Sequence, residues 1–214
     1  MDKRNKICYI AGAMELEGDI APLPGDLVIA ADKGLERLQR RGIEPDLIVG
    51  DFDSLGCVPE GGNVVRHPVM KDDTDMMLAA EMGLQAGYRT FVLCGGFGGR
   101  PDHTMGNMHT LIYLARRGAR GYLPGGGMTA TAIENGAIGF KSTARGNLSV
   151  FSAGDCAEGV TLRGLKYELT DARLPSGVTL GVSNEFTGAE SRVEVRSGAL
   201  LIMWSGGVEA VKDF

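Results

Sequence analysis

Two aspartates, Asp51 and Asp53, stand two positions apart where the apolar run of LIVGDFDSLG, residues 47–56, comes to its end. A second acidic group, KDDTD at 71–75, places Asp72, Asp73 and Asp75 within four residues, next to Lys71. Capping and solvation account for one or two such acids, since carboxylates favour a helix N-terminus. Three together repel one another unless a cation or ligand shares the site. Carboxylates converging from neighbouring strand ends suit Mg²⁺, a hard cation that takes oxygen ligands at about 2.0–2.1 Å and keeps water and phosphate oxygens as partners. A third segment, LCGGFGGRPDH at 93–103, supplies four glycines around Phe97, then Arg100, Asp102 and His103. Glycines let backbone approach a ligand closely, and a guanidinium fork grips phosphate oxygens in pairs. The segment matches neither the P-loop nor the dinucleotide fingerprint. Zinc has no support, because His103 and His109 are six apart with no cysteine beside them, and no Ser-His-Asp or Cys-His set is evident.

Such residues must be carried at strand ends. Up to about residue 123, the apolar runs ICYIAGA, DLVIAAD, DLIVGD, NVVRHP, TFVLCGG and GYL alternate with helical patterns over Leu35–Arg41, Asp75–Ala86 and Thr104–Arg117, the last two stopping at Gly87 and Gly118. Wholly apolar strands alternating with helices predict an open, mainly parallel α/β sheet covered on both faces. In such sheets ligands bind beyond the carboxyl ends of the strands, which is where Asp51, Asp53 and the glycine-rich segment fall. After LPGGGMTATAI the helical periodicity ends. The short runs TATAI, AIGF, LSVF, VTL, VTLGV, SRVEV and ALLIMWS, separated by turn signals such as Asn135-Gly136 and Pro175-Ser176-Gly177, predict a small all-β sandwich or barrel. The expected organisation is an α/β domain over residues 1–126 and a β-sandwich domain over 127–214.

The 214 residues, 43% hydrophobic with a net charge of −5, describe a chain with a proper core and no basic surface for nucleic acid or anionic lipid. No apolar run approaches the roughly 20 residues of a membrane span. The cysteines Cys8, Cys57, Cys94 and Cys156 are widely spaced, which reads as free thiols in a reducing compartment, the cytoplasm.

The segments ADKG, PDLIVGDFDS, KDDTD, GGFGGRPDHTMGN, GLKYEL, SNEF and LLIMWS, in this order from about Ala30 to Trp204, together resemble the thiamine pyrophosphokinase family. The resemblance implies an α/β domain followed by a β-sandwich in a homodimer, and Mg²⁺-dependent transfer of pyrophosphate from ATP to the hydroxyl of thiamine, giving thiamine diphosphate and AMP. It implies that Asp51, Asp53 and Asp75 hold the metal and act with Arg100 and Asp102 in catalysis, Asp75 or Asp102 being placed to orient or deprotonate the thiamine hydroxyl. Asp32, Asp46, Lys71, Thr74, Gly98, Gly99, His103 and Asn107 fall in the motifs expected to bind ATP. Lys33 stands where the family's ADGG-like motif carries a glycine or small residue. Ser183 and Asn184 of SNEF are expected to contact thiamine. Alternation from Leu200 puts Trp204 on a strand face with Ile202, as a core residue would be. The preferred expectation is that its indole forms a wall against the flat thiamine cation, in a β-domain site completed by a second subunit.

Two other readings compete. LIVGDFDSL also looks like the nucleophile loop of haloacid-dehalogenase-type phosphatases, with Asp51 as nucleophile and Asp53 as acid, but Ser54 and Leu55 do not complete that pattern. A nucleotide or thiamine sensor without turnover would keep the fold, but retained repelling carboxylates would only cost it stability.

Overall fold

The computed structural model describes residues 5–17, 20–50, 64–66, 73–212 and 214, the three at 64–66 by their backbone. Asp51, Asp53 and Lys71 therefore lie outside the described residues. The chain divides into two compact units, Met1–Thr110 with Leu123–Gly126, and Leu111–Tyr122 with Gly127–Phe214.

In the first unit β1 (Ile7–Ala11), β2 (Leu27–Ala31), β3 (Leu47–Gly50), β4 (Val64–Arg66) and β5 (Thr90–Cys94) pair in the order β5-β1-β2-β3-β4, every pairing parallel. Such strands need crossover connections, and α1 (Gly34–Gln39) and α2 (Asp75–Gln85) provide two of them. Val28, Ile29, Val49, Phe91 and Leu93 are buried, as expected of strands covered on both faces. Thr74 caps α2 by accepting a hydrogen bond from Met77 N–H at 3.3 Å. The third helix, α3 (Pro101–Arg116), begins in this unit. It starts three residues before its apolar periodicity does, since proline fits the first turn of a helix, where no N–H is needed.

The strand β6 (Arg120–Gly125) leads into the second unit. Here β7 (Met128–Glu134), β8 (Ala137–Phe140), β9 (Asn147–Ser152), β10 (Cys156–Arg163), β11 (Leu169–Pro175), β12 (Asn184–Glu185), β13 (Ser191–Glu194) and β14 (Ala199–Ser205) form antiparallel ladders in the orders β12-β9-β14-β7 and β11-β10-β13-β8. Inward residues of both ladders, among them Ile133, Leu148 and Ile202 from one and Phe140, Val160 and Val193 from the other, share one core, so the unit is a sandwich.

Two expectations for this unit need correction. VTLGV is not a strand: after the turn at Ser176-Gly177, residues 178–179 are irregular and a further turn covers 180–183, with Val178, Leu180 and Val182 exposed. The strand is instead the preceding LTDARLP. As β11 it is an edge strand with most residues outward, so it shows no apolar alternation, and its ladder with β10 contains register shifts. Trp204, expected as a wall for a ligand, is a core residue with no exposed surface. The alternation that places Leu200, Ile202 and Trp204 on one face of β14 turns that face inward. The indole packs edge-on against Phe140, with centroids 5.2 Å apart, and against Tyr122 at 6.4 Å, while Nε1–H donates to the Gly207 carbonyl at 2.9 Å. Neither ring face is open to a cation.

Burial pushes the Cys8 and Cys94 thiols up to about 12, so both stay protonated and sheltered at neutral pH. An aromatic thiol reagent at pH 8 is expected to leave both unlabelled in the native state and to label them on denaturation. Trp204→Ala is expected to cost about 3–5 kcal/mol of stability in chemical denaturation, the range for a truncated buried aromatic.

Candidate functional site

The carboxyl ends of β1, β2 and β5 meet the starts of α2 and α3 around a cleft of about 430 Å³. Its floor depends on backbone packed too closely for side chains. A Cβ on Gly34 would lie 1.8 Å from the Ala11 carbonyl oxygen, which fixes the start of α1 against the end of β1. Gly95, at φ +66°, follows β5 and accepts from Met14 N–H at 3.0 Å, while Gly12 N–H donates to Cys94 at 2.7 Å. The loop after β1 is thereby tied to the loop after β5.

Three acids line this cleft from different elements. Asp32 follows β2 at φ +51°, its N–H donating to the Val49 carbonyl at 2.9 Å. Asp73 and Asp75 flank the α2 cap, Thr74, which also lines the cleft. Opposite them stand Gly98, Arg100, His103 and Asn107. Asn107, buried on α3, donates from Nδ2 to the Gly96 carbonyl at 2.6 Å and so holds the glycine-rich loop. Thr104 Oγ1 accepts from Gly98 N–H at 3.1 Å, which anchors the same loop one turn earlier. Arg100 pairs with Asp102 through Nε to Oδ1 at 3.2 Å and through its second nitrogen to Oδ2 at 2.5 Å. The hydrogen bond from Arg100 holds the Asp102 carboxyl below the usual carboxylate range and raises the guanidinium. A depressed carboxylate favours the paired state above its unfolded pKa, and this is lost as pH falls through the folded value; both groups are exposed, so the gain is small.

Of the residues expected to bind phosphates or metal, the cleft thus brings together Asp32, Thr74, Asp75, Gly98, Arg100, His103 and Asn107. Asp102 and Gly99 sit beside it in the same loop and helix start. Asp46 is a correction. It precedes β3 at the amino edge of the sheet, where its carboxylate accepts from Val28 N–H at 2.8 Å and its own N–H donates to the Val28 carbonyl at 2.8 Å. It splices β2 to β3 and is remote from the carboxyl-edge ligand position. Asp73, read in the sequence as part of the acidic group beside Asp75, lines the cleft as well, and so does the Gly12–Met14 loop, which had not been singled out. The signal for the loop was available: AGAM ends β1 just as VGDF ends β3, and every carboxyl end of a parallel sheet opens on the same edge.

In the sandwich unit, Asn184 is buried, and its side chain is consumed: Oδ1 accepts from Tyr167 N–H at 3.0 Å and Nδ2 donates to the Tyr167 carbonyl at 2.7 Å. It pins one loop to another with its oxygen and one of its two amide hydrogens, and it presents almost no surface to a ligand. Ser183, at φ +60°, is exposed, and its N–H donates to Ser149 Oγ at 3.1 Å.

Among the described residues, no three His, Cys, Asp or Glu side chains converge closely enough to enclose a metal by themselves. The acids that do line the cleft are hard oxygen donors of the kind Mg²⁺ accepts, and that ion leaves positions for water and substrate oxygens. The donor set therefore fits a hard divalent cation shared with a ligand.

The class defined by fold and cleft is an α/β unit with an acidic, glycine-floored ligand site at its carboxyl edge, followed by a β-sandwich. The family model for "Thiamin pyrophosphokinase, catalytic domain" matches residues 24–123, and that for "Thiamin pyrophosphokinase, vitamin B1 binding domain" matches residues 138–201. Thiamine pyrophosphokinase of Bacillus subtilis (strain 168) is 27% identical over 186 residues, 84% of this chain and 87% of that protein. Among solved structures, thiamine pyrophosphokinase from Bacillus subtilis superposes with a TM-score of 0.81 at 25% identity, over 95% of this chain and all of the other. Thiamin pyrophosphokinase from Geobacillus thermodenitrificans gives 0.79 at 25% identity, over 95% of this chain and 99% of that one. The chain belongs to the thiamin pyrophosphokinase family.

Asp46→Ala is expected to cost about 1–3 kcal/mol, because the Val28 N–H loses its acceptor at a partly buried site, while nucleotide affinity measured by titration stays at the wild-type value. A selective loss of nucleotide affinity with stability intact would return Asp46 to the ligand site.

Proposed function

We propose that this protein transfers the pyrophosphoryl group of ATP to the hydroxyl of thiamine, giving thiamine diphosphate and AMP with Mg²⁺ as cofactor. The observation that carries the reading is the cleft, whose acids, Gly95, Gly96, Gly98 and Arg100 lie within the segment matched by the family's catalytic-domain model. Attack at the β-phosphorus makes AMP the leaving group, and charge on the bridging and equatorial oxygens has to be held while nucleophile and leaving group stay in line. Asp75, with Asp51 and Asp53 beyond the described residues, would hold Mg²⁺, which supplies neutralisation of phosphate charge. Thr74, Gly98, Gly99, His103, Asn107 and Lys71 belong to the ATP side in this reading. Asn107 acts by holding the loop, as its bond to Gly96 supports. Arg100 approaches phosphate oxygens with Asp102 as the partner that sets its plane, or Asp102 turns to the thiamine hydroxyl and releases it.

The acceptor belongs to the sandwich unit, where the vitamin B1 binding model matches. Ser183 remains a candidate contact. The thiamine site is completed by a second copy of the chain in a homodimer, a reading supported by the exposed apolar side chains Tyr167, Val178, Leu180 and Val182 of this unit. Among the described residues no helix is long and apolar enough to cross a membrane. The buried, protonated thiols suit the cytoplasm as the site of action.

The deciding experiment is mass spectrometry of a reaction containing ATP, Mg²⁺ and thiamine. Thiamine diphosphate and AMP appearing together, with AMP absent when thiamine is omitted, is the expected result; inorganic phosphate released without an acceptor would favour a phosphatase. Asp75→Asn, and likewise Asp51→Asn or Asp53→Asn, is expected to lower kcat by about 10²-fold or more with an unchanged thermal melt, since each removes a hard anionic ligand. A near-wild-type rate at saturating Mg²⁺ removes that residue from the metal site.

A further inference from the structure

Lys33 is exposed and lines the cleft, between Asp32 at the end of β2 and the first residue of α1. Its backbone is held on both sides, by Asp32 N–H on the Val49 carbonyl and by Gly34 against the Ala11 carbonyl. Its side chain caps nothing, and its ammonium makes no hydrogen bond or ion pair with any described residue. Arg100, the other cation lining the cleft, is engaged with Asp102. Three carboxylates, Asp32, Asp73 and Asp75, line the same space. An anionic ligand entering it comes near these carboxylates, and a cation that faces it favours its binding. Among the described lining residues, Lys33 is the cation with no carboxylate already in place.

We propose that Lys33 is a phosphate-binding residue of this cleft, its ammonium taking an oxygen of the donor's polyphosphate chain. That the donor is ATP, and so that the anion is a polyphosphate, rests on the reading given above. An ammonium on a flexible four-carbon stem acts as a mobile point charge, unlike the planar fork of arginine. No hydrogen bond fixes it for the transition state. It therefore contributes to ground-state and transition-state binding alike, which places its effect on the KM for ATP and leaves kcat nearly unchanged.

The test compares Lys33→Gln and Lys33→Arg with a charge-loss control, Lys6→Gln, whose residue lines a separate cavity with Arg89 and Thr90. Lys33→Gln is expected to raise the ATP KM by about 5- to 30-fold, with kcat within about 3-fold and the thiamine KM unchanged, the scale of one lost charge-assisted hydrogen bond. Lys33→Arg should recover most of the loss, Lys6→Gln should change nothing, and the wild-type ATP KM should rise more steeply with KCl than that of Lys33→Gln. Calorimetric titration with Mg²⁺ and inorganic tripolyphosphate reads the same contact without turnover. Weaker binding by Lys33→Gln there supports the inference even if the wild type makes no thiamine diphosphate, a result that would overturn only the pyrophosphate-transfer reading. Equal tripolyphosphate affinity in wild type and Lys33→Gln, or no binding by the wild type, overturns the inference.

Discussion

Backbone in contact with backbone is the constraint on which the cleft rests. At the end of β1 the Ala11 carbonyl sits where any side chain on Gly34 would have to be, and the turn after β5 is threaded through Gly95 between the carbonyls of Gly12 and Met14. These approaches draw the loops after β1, β2 and β5 together at one edge of a parallel sheet. Side chains from Asp32, Asp75 and Arg100 then reach a common space, although they are far apart in sequence. Without the close approaches, the same residues would decorate separate loops. The glycines thus supply geometry, and the charged residues beside them supply chemistry.

That chemistry is one of unbalanced charge held at short range. The carboxylates gathered at this edge are hard oxygen donors, and a hard cation with its phosphate ligand would place positive and negative charge in alternation there. The pairing of Arg100 with Asp102 belongs to the same economy of charge. It keeps a guanidinium extended beside the glycine-rich loop, where Thr104 and Asn107 hold the backbone from α3. A ligand phosphate would compete with Asp102 for that fork, an exchange between two bidentate anionic partners that involves little desolvation because both side chains are exposed.

Much of this was legible in the sequence because it follows from rules that act locally. Wholly apolar runs such as LVIAA and TFVLC allow few structures other than a covered parallel strand, and the acids and glycines after them fall at the ligand edge by the direction of the chain. What escaped was decided by pairing at a distance. Asp46 and Asp32 lie in motifs of equal prominence, yet one precedes a strand and splices the sheet while the other follows a strand and faces the cleft. β11 carries too little apolar alternation to announce itself, because an edge strand of a sandwich buries few of its side chains. VTLGV has the composition of a strand and lies as a turn, since Val150 N–H takes the Gly181 carbonyl and the valines are left outside.

Trp204 and Asn184 are both engaged by the fold in ways that residue type alone does not reveal. A lone tryptophan and an asparagine in a distinctive motif are both chemically able to hold a flat, polar cation. Each also satisfies a demand of the fold that takes precedence. The sandwich needs a large side chain to fill the space between Phe140 and Tyr122, and the indole N–H finds its acceptor in Gly207 without leaving the core. The loop at Tyr167 needs both a donor and an acceptor, and the Asn184 amide provides the pair. Asn184 ties Tyr167, itself largely exposed, to a chain segment whose next residue outward is Ser183 at positive φ, so the motif works by placing its neighbours. Tyr167 and Ser183 thus owe their positions to the asparagine beneath them.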